Sequence, residues 1–259
     1  MLTSRQKHCL KGIGIRQWLD RSSIPLRVND QAFQNEVQIV NSVNISVPGS
    51  TSLPVQASIP KLVPVTNIMP KIEFNLDGWD NINQSIAQCQ KCNLATNCTQ
   101  KVPGTGNKKA DLMIIGTSPG YDEDIKGEPF VGRPGALLDK ILQSIGISRS
   151  QTFITNIVKC RPHNNRDPYK DEVKACDAFL RAQIKEISPK VILSVGKGSA
   201  QNLLNTSESF PQLITRNHQL PDSGIPLKVT YHPSYLLRNP ASKAIVWQDM
   251  KWLKRILHQ

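Results

Sequence analysis

Several things are scarce or missing in this chain of 259 residues. No run approaches the roughly eighteen apolar residues that a membrane-crossing helix needs, so no such helix is expected. The basic start, Met1 to Gln17, is interrupted at Gly12 and Gly14 and has no apolar h-region, so it does not read as a secretory leader. Residues 1–19 hold no acid, which keeps an organellar transit peptide open as an alternative. No internal repeat occurs, and repeat arrays are set aside. Acids are also few: 20 against 32 basic residues, a net charge of +12 and a pI near 9.5. That imbalance predicts a polyanionic partner, with nucleic acid first in line; the plain alternative is a solvated basic surface.

What is present starts with six cysteines: Cys9, Cys89, Cys92, Cys98, Cys160 and Cys176. A chain this long does not need disulfide staples, so a reducing compartment is expected, with the thiols as ligands rather than bridges. Cys89 and Cys92 form a C-x-x-C pair in a polar stretch, unlike a redox pair at a helix start. Cys160 and Cys176 follow much later, separated by 15 residues. Zinc ribbons use two tight knuckles, which this spacing does not match. The spacing alone admits an iron–sulfur cluster, a zinc ion or no metal. Cys9 has no evident role, and Cys98 competes for a ligand position.

The chain reads as three parts. Residues 1–27 hold Leu10, Ile13 and Trp18 at roughly helical spacing, a short amphipathic arm weakened by two glycines. Residues 28–78 read as a flexible, mostly disordered linker: from Gln31 to Pro70 the charges are Glu36 and Lys61, and five prolines interrupt the rest. Residues 79–259 alternate apolar runs with amphipathic stretches. Strands are expected at Asp111–Gly116, Thr152–Asn156, Val191–Val195 and Leu227–Tyr231. Helices are expected at Ala136–Ile145, Asp171–Ile187, Ser199–Leu204 and Ala244–Leu257. Apolar runs without alternation argue for an α/β fold with a parallel sheet covered on both faces. In such sheets, sites form in the loops after the strands, here after Gly116, Asn156, Gly196 and Tyr231.

Those loops carry VPGTG (102–106), GTSPGYDEDIKGEPFVGRPGALLD (116–139), FITNIVKCRP (153–162) and TYHPSYLLRNP (230–240). Together with the cysteine spacing, they resemble the iron–sulfur, family 4 uracil-DNA glycosylases over residues 86–257. The resemblance implies a three-layer α/β/α sandwich around a four-stranded parallel sheet. It also implies a [4Fe–4S] cluster on Cys89, Cys92, Cys160 and Cys176, with zinc as the alternative. The implied substrate is DNA containing uracil, and the implied reaction is hydrolysis of the N-glycosidic bond in base-excision repair. The implied setting is a monomer in a bacterial cytoplasm, associated with the nucleoid.

Such chemistry needs the base flipped into a pocket. On the family pattern Phe130 is the aromatic platform, against the plain reading of a core phenylalanine. Asn156 can donate to and accept from a base edge at once; the plain reading is a turn cap. His232 matches the donor that stabilises charge on the departing base, Glu123 an acid beside the base, and Gly116 and Ser118 parts of the pocket wall. Arg133, Lys159, Arg161 and Arg238 flank the expected mouth as phosphate contacts, and Leu236 or Leu237 is expected to wedge into the vacated stack. Packing and solvated charge are the plain readings of these.

One motif departs from the family. Its glutamate, credited with the attacking water, is here Thr117. A hydroxyl positions water but does not take its proton near neutral pH, and loss of a general base costs ~10²–10⁴ in rate. Asp122 and Asp124 are the nearby carboxylates that could substitute. Residues 3–26, with TSR and Leu10, Ile13, Gly14, Ile15 and Trp18, also resemble the N-terminal arm of the psi subunit of bacterial DNA polymerase III. That implies docking on the chi subunit and a place in DNA replication. A second function follows: a catalytically degenerate glycosylase fold acting as a psi-like accessory.

Overall fold

The computed structural model describes residues 75–259. The docking arm expected over 1–27 and positions 28–74 of the expected linker lie outside the described residues. The first elements are helices α1 (Trp79–Ala87) and α2 (Leu94–Asn97) and a short strand β1 (Thr105–Gly106). Strand β2 (Leu112–Gly116) leads to helices α3 (Tyr121–Lys126) and α4 (Gly132–Ser144), then β3 (Thr152–Asn156). The long helix α5 (Lys170–Ile187) precedes β4 (Val191–Val195), α6 (Lys197–Leu203) and α7 (Phe210–Ile214). Strands β5 (Asn217–Gln219) and β6 (Pro226–Thr230) and helices α8 (Pro233–Arg238) and α9 (Lys243–Leu257) complete the chain.

The sheet order is β1-β3-β2-β4-β6-β5. Its centre is the expected set of four parallel strands, β3-β2-β4-β6, running in register from Leu112↔Thr152 to Gly116↔Asn156 on one side of β2. Two antiparallel edge strands, β1 and β5, make the sheet mixed and six-stranded. Neither edge has an apolar signature: each is two or three polar or glycine residues long and exists only through its pairing. Gly106 of β1 shows why glycine stands there, since its φ is +121° and a Cβ would lie 2.0 Å from the Thr152 carbonyl oxygen.

Continuous apolar strands are explained by layers on both faces. In β2 the side chains of Met113 and Ile115 enter one core with Ile82 and Ile86 of α1, Phe179 and Ile184 of α5 and Ala200 of α6. Leu112 and Ile114 enter the other, with Leu138 and Ile141 of α4 and Met250 and Leu253 of α9. Alternate residues thus point to opposite faces, and both faces are dry. A fully buried isoleucine or leucine here contributes about 1.5–3 kcal/mol of transfer free energy. A buried ion pair, Lys228 Nζ to Asp249 Oδ1 at 3.2 Å, holds α9 to β6, helped by the Thr230 hydroxyl donating to Asp249 at 2.8 Å.

β3 and β4 flank β2 on opposite sides; the helices after them, α5 and α6, cover one face, and the helices after β2 and β6, α4 and α9, cover the other. The loops beyond the carboxyl ends therefore open a crevice. The fold is the three-layer α/β/α sandwich expected from the sequence, and the crevice is where the site lies.

Candidate active site

A cavity of about 550 Å³ sits at the carboxyl ends of the four parallel strands. Each strand contributes to its wall: Thr117 and Ser118 after β2, Asn156 at the end of β3, Gly198 after β4, and His232 after β6.

Gly116 ends β2 directly opposite Asn156 in register. A Cβ at Gly116 would lie 2.4 Å from Asn156 Oδ1 and 2.8 Å from Phe130 Cζ. The absence of a side chain there is what lets the amide and the ring stand side by side. Asn156 is 2 % exposed, and none of the described residues hydrogen-bonds its amide group. Both halves of that amide are left for a ligand's edge.

Phe130 is 6 % exposed and has φ +52°, an unusual backbone region for a bulky residue. The surroundings hold it there. Arg149 Nη1 donates to the Phe130 carbonyl at 3.2 Å, and its other terminal nitrogen donates to the Pro129 carbonyl. Asp139 orients that guanidinium at 3.2 Å. Gly135 admits the turn, because a Cβ there would lie 1.7 Å from the Phe130 oxygen. Sequence reading missed Arg149 altogether: it lies 19 residues from Phe130, in a 3₁₀ turn with no motif of its own.

Glu123 lines the cavity, but its carboxylate is engaged. Oε2 accepts from the Gly120 amide at 3.0 Å and Oε1 from the Val131 amide at 3.1 Å. Burial pushes its pKa up, and the two amides oppose that. It acts as a brace between the two loops that carry Ser118 and Phe130.

His232 caps α8. Its Nδ1 accepts from the Ser234 amide at 3.2 Å and lies 2.7 Å from the Ser234 hydroxyl. Its ring centroid is 5.4 Å from that of Phe130. Burial, with a smaller contribution from the Arg238 charge, lowers its pKa to about 4. The imidazole is therefore neutral near pH 7. With Nδ1 accepting, the proton is assigned to Nε2, a neutral hydrogen-bond donor.

The other expected contacts divide. Arg238 is exposed and lines the cavity. Arg161 lies over the Tyr121 ring at 5.0 Å and donates to Asn165 Oδ1 at 2.8 Å; Asn165 itself lines the cavity. Arg133 is exposed at the start of α4, beside the cavity-lining Pro134. Lys159 is different. It is 1 % exposed, and its ammonium donates to Thr155 Oγ1, the Asn156 carbonyl and Gln183 Oε1, each at 2.7 Å. A group sealed behind three acceptors does not reach a phosphate. Burial lowers its pKa to about 7. Leu236 is 0 % exposed within the core and is no wedge, whereas Leu237 is 37 % exposed. One helix position separates the two, and only the packed fold decides which faces inward.

Neither substitute carboxylate expected from sequence meets the cavity. Asp124 is 2 % exposed, and its Oδ1 accepts from the Thr99 amide at 2.9 Å. Asp122 packs toward Gly132. Asp167 and Lys197, which carried no sequence signal, do line the cavity.

On the α1–α5 face, Cys89, Cys92, Cys160 and Cys176 surround one small closed hollow, with Ile86, Phe179, Lys101 and Lys159 on its wall. Cys98 is in hydrogen-bonding contact with Cys160. That contact and the Lys101 charge lower the Cys98 pKa, while Cys160 is pushed up. Among the described residues no three His, Cys, Asp or Glu converge as they would around a single ion. An all-sulfur set round one hollow, with lysines behind it, fits a thiolate-bound metal centre.

The chain belongs to the uracil DNA glycosylase superfamily, whose family model matches residues 103–251. Within it the similarity is to a narrower group. The chain is 40 % identical over 189 residues to the Type-4 uracil-DNA glycosylase of Saccharolobus solfataricus, covering 70 % of this chain and 88 % of that protein. It is 40 % identical over 182 residues to the Type-4 uracil-DNA glycosylase of Archaeoglobus fulgidus, covering 68 % and 92 %. With the Type-4 uracil-DNA glycosylase of Thermotoga maritima it shares 37 % over 178 residues, covering 68 % and 93 %.

Proposed function

We propose that this protein is a monofunctional uracil-DNA glycosylase. The observation that carries the reading is the meeting of Phe130, Asn156 and a neutral His232 around one cavity. A flipped uracil stacks on Phe130, and the Asn156 amide pairs with its edge, donating and accepting together. As the C1′–N1 bond breaks, charge gathers on the uracil oxygens. His232 Nε2–H donates to that charge without first having to lose or gain a proton. Thr117, on the wall, positions water. Arg133, Arg161, Arg238 and Leu237 are the contacts proposed for the DNA outside the pocket.

The cysteine nest is proposed to hold a [4Fe–4S] cluster on Cys89, Cys92, Cys160 and Cys176. When bound it supplies a cross-link between the start of the domain, the loop after β3 and α5. Lys101 and Lys159 would offset its negative charge. Iron and sulfide analysis after anaerobic purification tests this; zinc in place of iron would refute it.

Excision from uracil-containing single- and double-stranded oligonucleotides tests the function. No product above a mock preparation, with the cluster intact, would sink it. A cytoplasmic, nucleoid-associated monomer active in base-excision repair is the setting this reading implies.

One observation favours a second reading. Thr117 replaces the family glutamate, as expected of a degenerate enzyme kept as a psi-like accessory in replication. On that reading residues 3–26 bind the chi subunit and the 28–78 linker keeps the domain nearby at high effective concentration. Pull-down of chi with full-length and arm-deleted chains separates the two, and equal recovery by both removes the docking role.

A further inference from the structure

Hydrolysis at the sugar needs a group to take the proton of the attacking water, and the Thr117 hydroxyl does not do this near neutral pH. Two carboxylates among the described residues line the cavity, Glu123 and Asp167. Both oxygens of Glu123 are committed to the amides of Gly120 and Val131. Asp124 is buried against the Thr99 amide, and Asp122 is not part of the wall.

Asp167 is left, and its placement is distinctive. Its carboxylate makes no hydrogen bond or ion pair with the described residues. Its backbone, in contrast, is fixed. Arg166 Nη1 donates to the Asp167 carbonyl at 2.9 Å. The same guanidinium grips Glu172 at 2.8 and 2.6 Å, and Glu172 also accepts from the Tyr169 amide at 2.7 Å. Pro168 follows and stiffens the turn. Thr117, Asp167 and Gly198 are shared between this cavity and an adjoining groove of about 650 Å³. A nucleotide whose base entered the cavity from that groove would have its sugar at the boundary.

We propose that Asp167 is the water-activating carboxylate of this chain, doing from the loop after β3 what the family's glutamate does from position 117. The inference rests on the glycosylase reading. Water oxygen forms a bond to C1′ as the C1′–N1 bond breaks. The bonding pair leaves on uracil, where His232 Nε2–H holds the anion. The water proton passes to the Asp167 carboxylate, leaving an abasic sugar with a hydroxyl at C1′.

The test is single-turnover excision from a uracil-containing single-stranded oligonucleotide by the cluster-loaded full-length protein, with Asp167→Asn and Asp167→Ala beside wild type. Asp167→Asn is expected to be slower by ~10²–10⁴, since a general base is lost. Its affinity for an oligonucleotide carrying cleavage-resistant 2′-fluoro-deoxyuridine should stay within about threefold. Added formate should accelerate Asp167→Ala but not wild type, and Thr117→Glu should restore turnover to Asp167→Asn. Formate rescue supports the assignment, because a merely structural aspartate does not respond to it, and Thr117→Glu supports it when it speeds Asp167→Asn by a larger factor than it speeds wild type. An Asp167→Asn rate within about threefold of wild type overturns it. So does a slow variant that neither formate nor Thr117→Glu rescues. A wild-type protein with no excision overturns the glycosylase reading itself; an active wild type with an active Asp167→Asn overturns only the role of Asp167.

Discussion

Protonating His232 should be difficult, and that difficulty should be measurable in both catalysis and stability. Burial, and secondarily Arg238, hold its pKa at about 4, against 6.5 for a free imidazole. In the folded protein the ring therefore stays neutral down to that pH, and excision should show no loss attributable to His232 between pH 7 and 5. Stability should move in the opposite sense to a salt-bridged histidine. Between about 6.5 and 4 the unfolded chain takes up a proton that the folded chain refuses, so stability falls as the pH drops through that window and levels off below it. A shift of this size corresponds to about 3 kcal/mol as an upper bound. His232→Gln should remove this contribution, so its stability should fall less than that of wild type in urea unfolding between pH 7 and 4. Nitrogen NMR of labelled imidazoles checks the premise directly: the expected signal is a neutral ring with the proton on Nε2. A His232 pKa near or above 6.5, or a proton on Nδ1, would refute the argument that this residue donates as a neutral group. Removing the donor altogether, as in His232→Leu, should lower the excision rate by ~10²–10³.

Three further outcomes follow from the packing. Gly116→Ala forces a methyl against Asn156 Oδ1 and the Phe130 ring, so excision should collapse while the melting temperature falls little; an active variant would mean that the amide and ring need not be adjacent. Leu236→Ala should cost about 3–5 kcal/mol in urea unfolding as a core truncation, whereas Leu237→Ala should leave stability unchanged and reduce excision from duplex more than from single strands. Lys159→Met strands three buried acceptors, so it should destabilise the fold by about 3 kcal/mol or more without changing the salt dependence of DNA binding. A weaker salt dependence would instead mean that this lysine meets phosphate.

Much of the architecture was legible in the sequence because its signals are local. Four apolar runs without alternation specify strands buried on both faces, and the structure has them at Leu112–Gly116, Thr152–Asn156, Val191–Val195 and Pro226–Thr230. The edge strands β1 and β5 were not legible, since two or three polar residues carry no period and pair only because a neighbour is there. The loops bearing Phe130, Asn156 and His232 could be placed at one end of the sheet from strand order alone, and they line one cavity.

Whether a given side chain faces the cavity, the core or water depended on contacts between residues far apart in the chain. Lys159 and Arg238 are both basic residues in motif loops, yet one is sealed against Gln183 of α5 and the other is free at the rim. Leu236 and Leu237 are the same residue type one position apart, and helix phase against α4 buries only the first. Arg149 holds the strained Phe130 turn from 19 residues away. Asp167 lines the same cavity as Thr117, fifty positions away in the sequence. Composition and periodicity determine which segments become strands and helices. Which polar groups keep a free lone pair or proton for chemistry is decided only when the folded chain has used up the others.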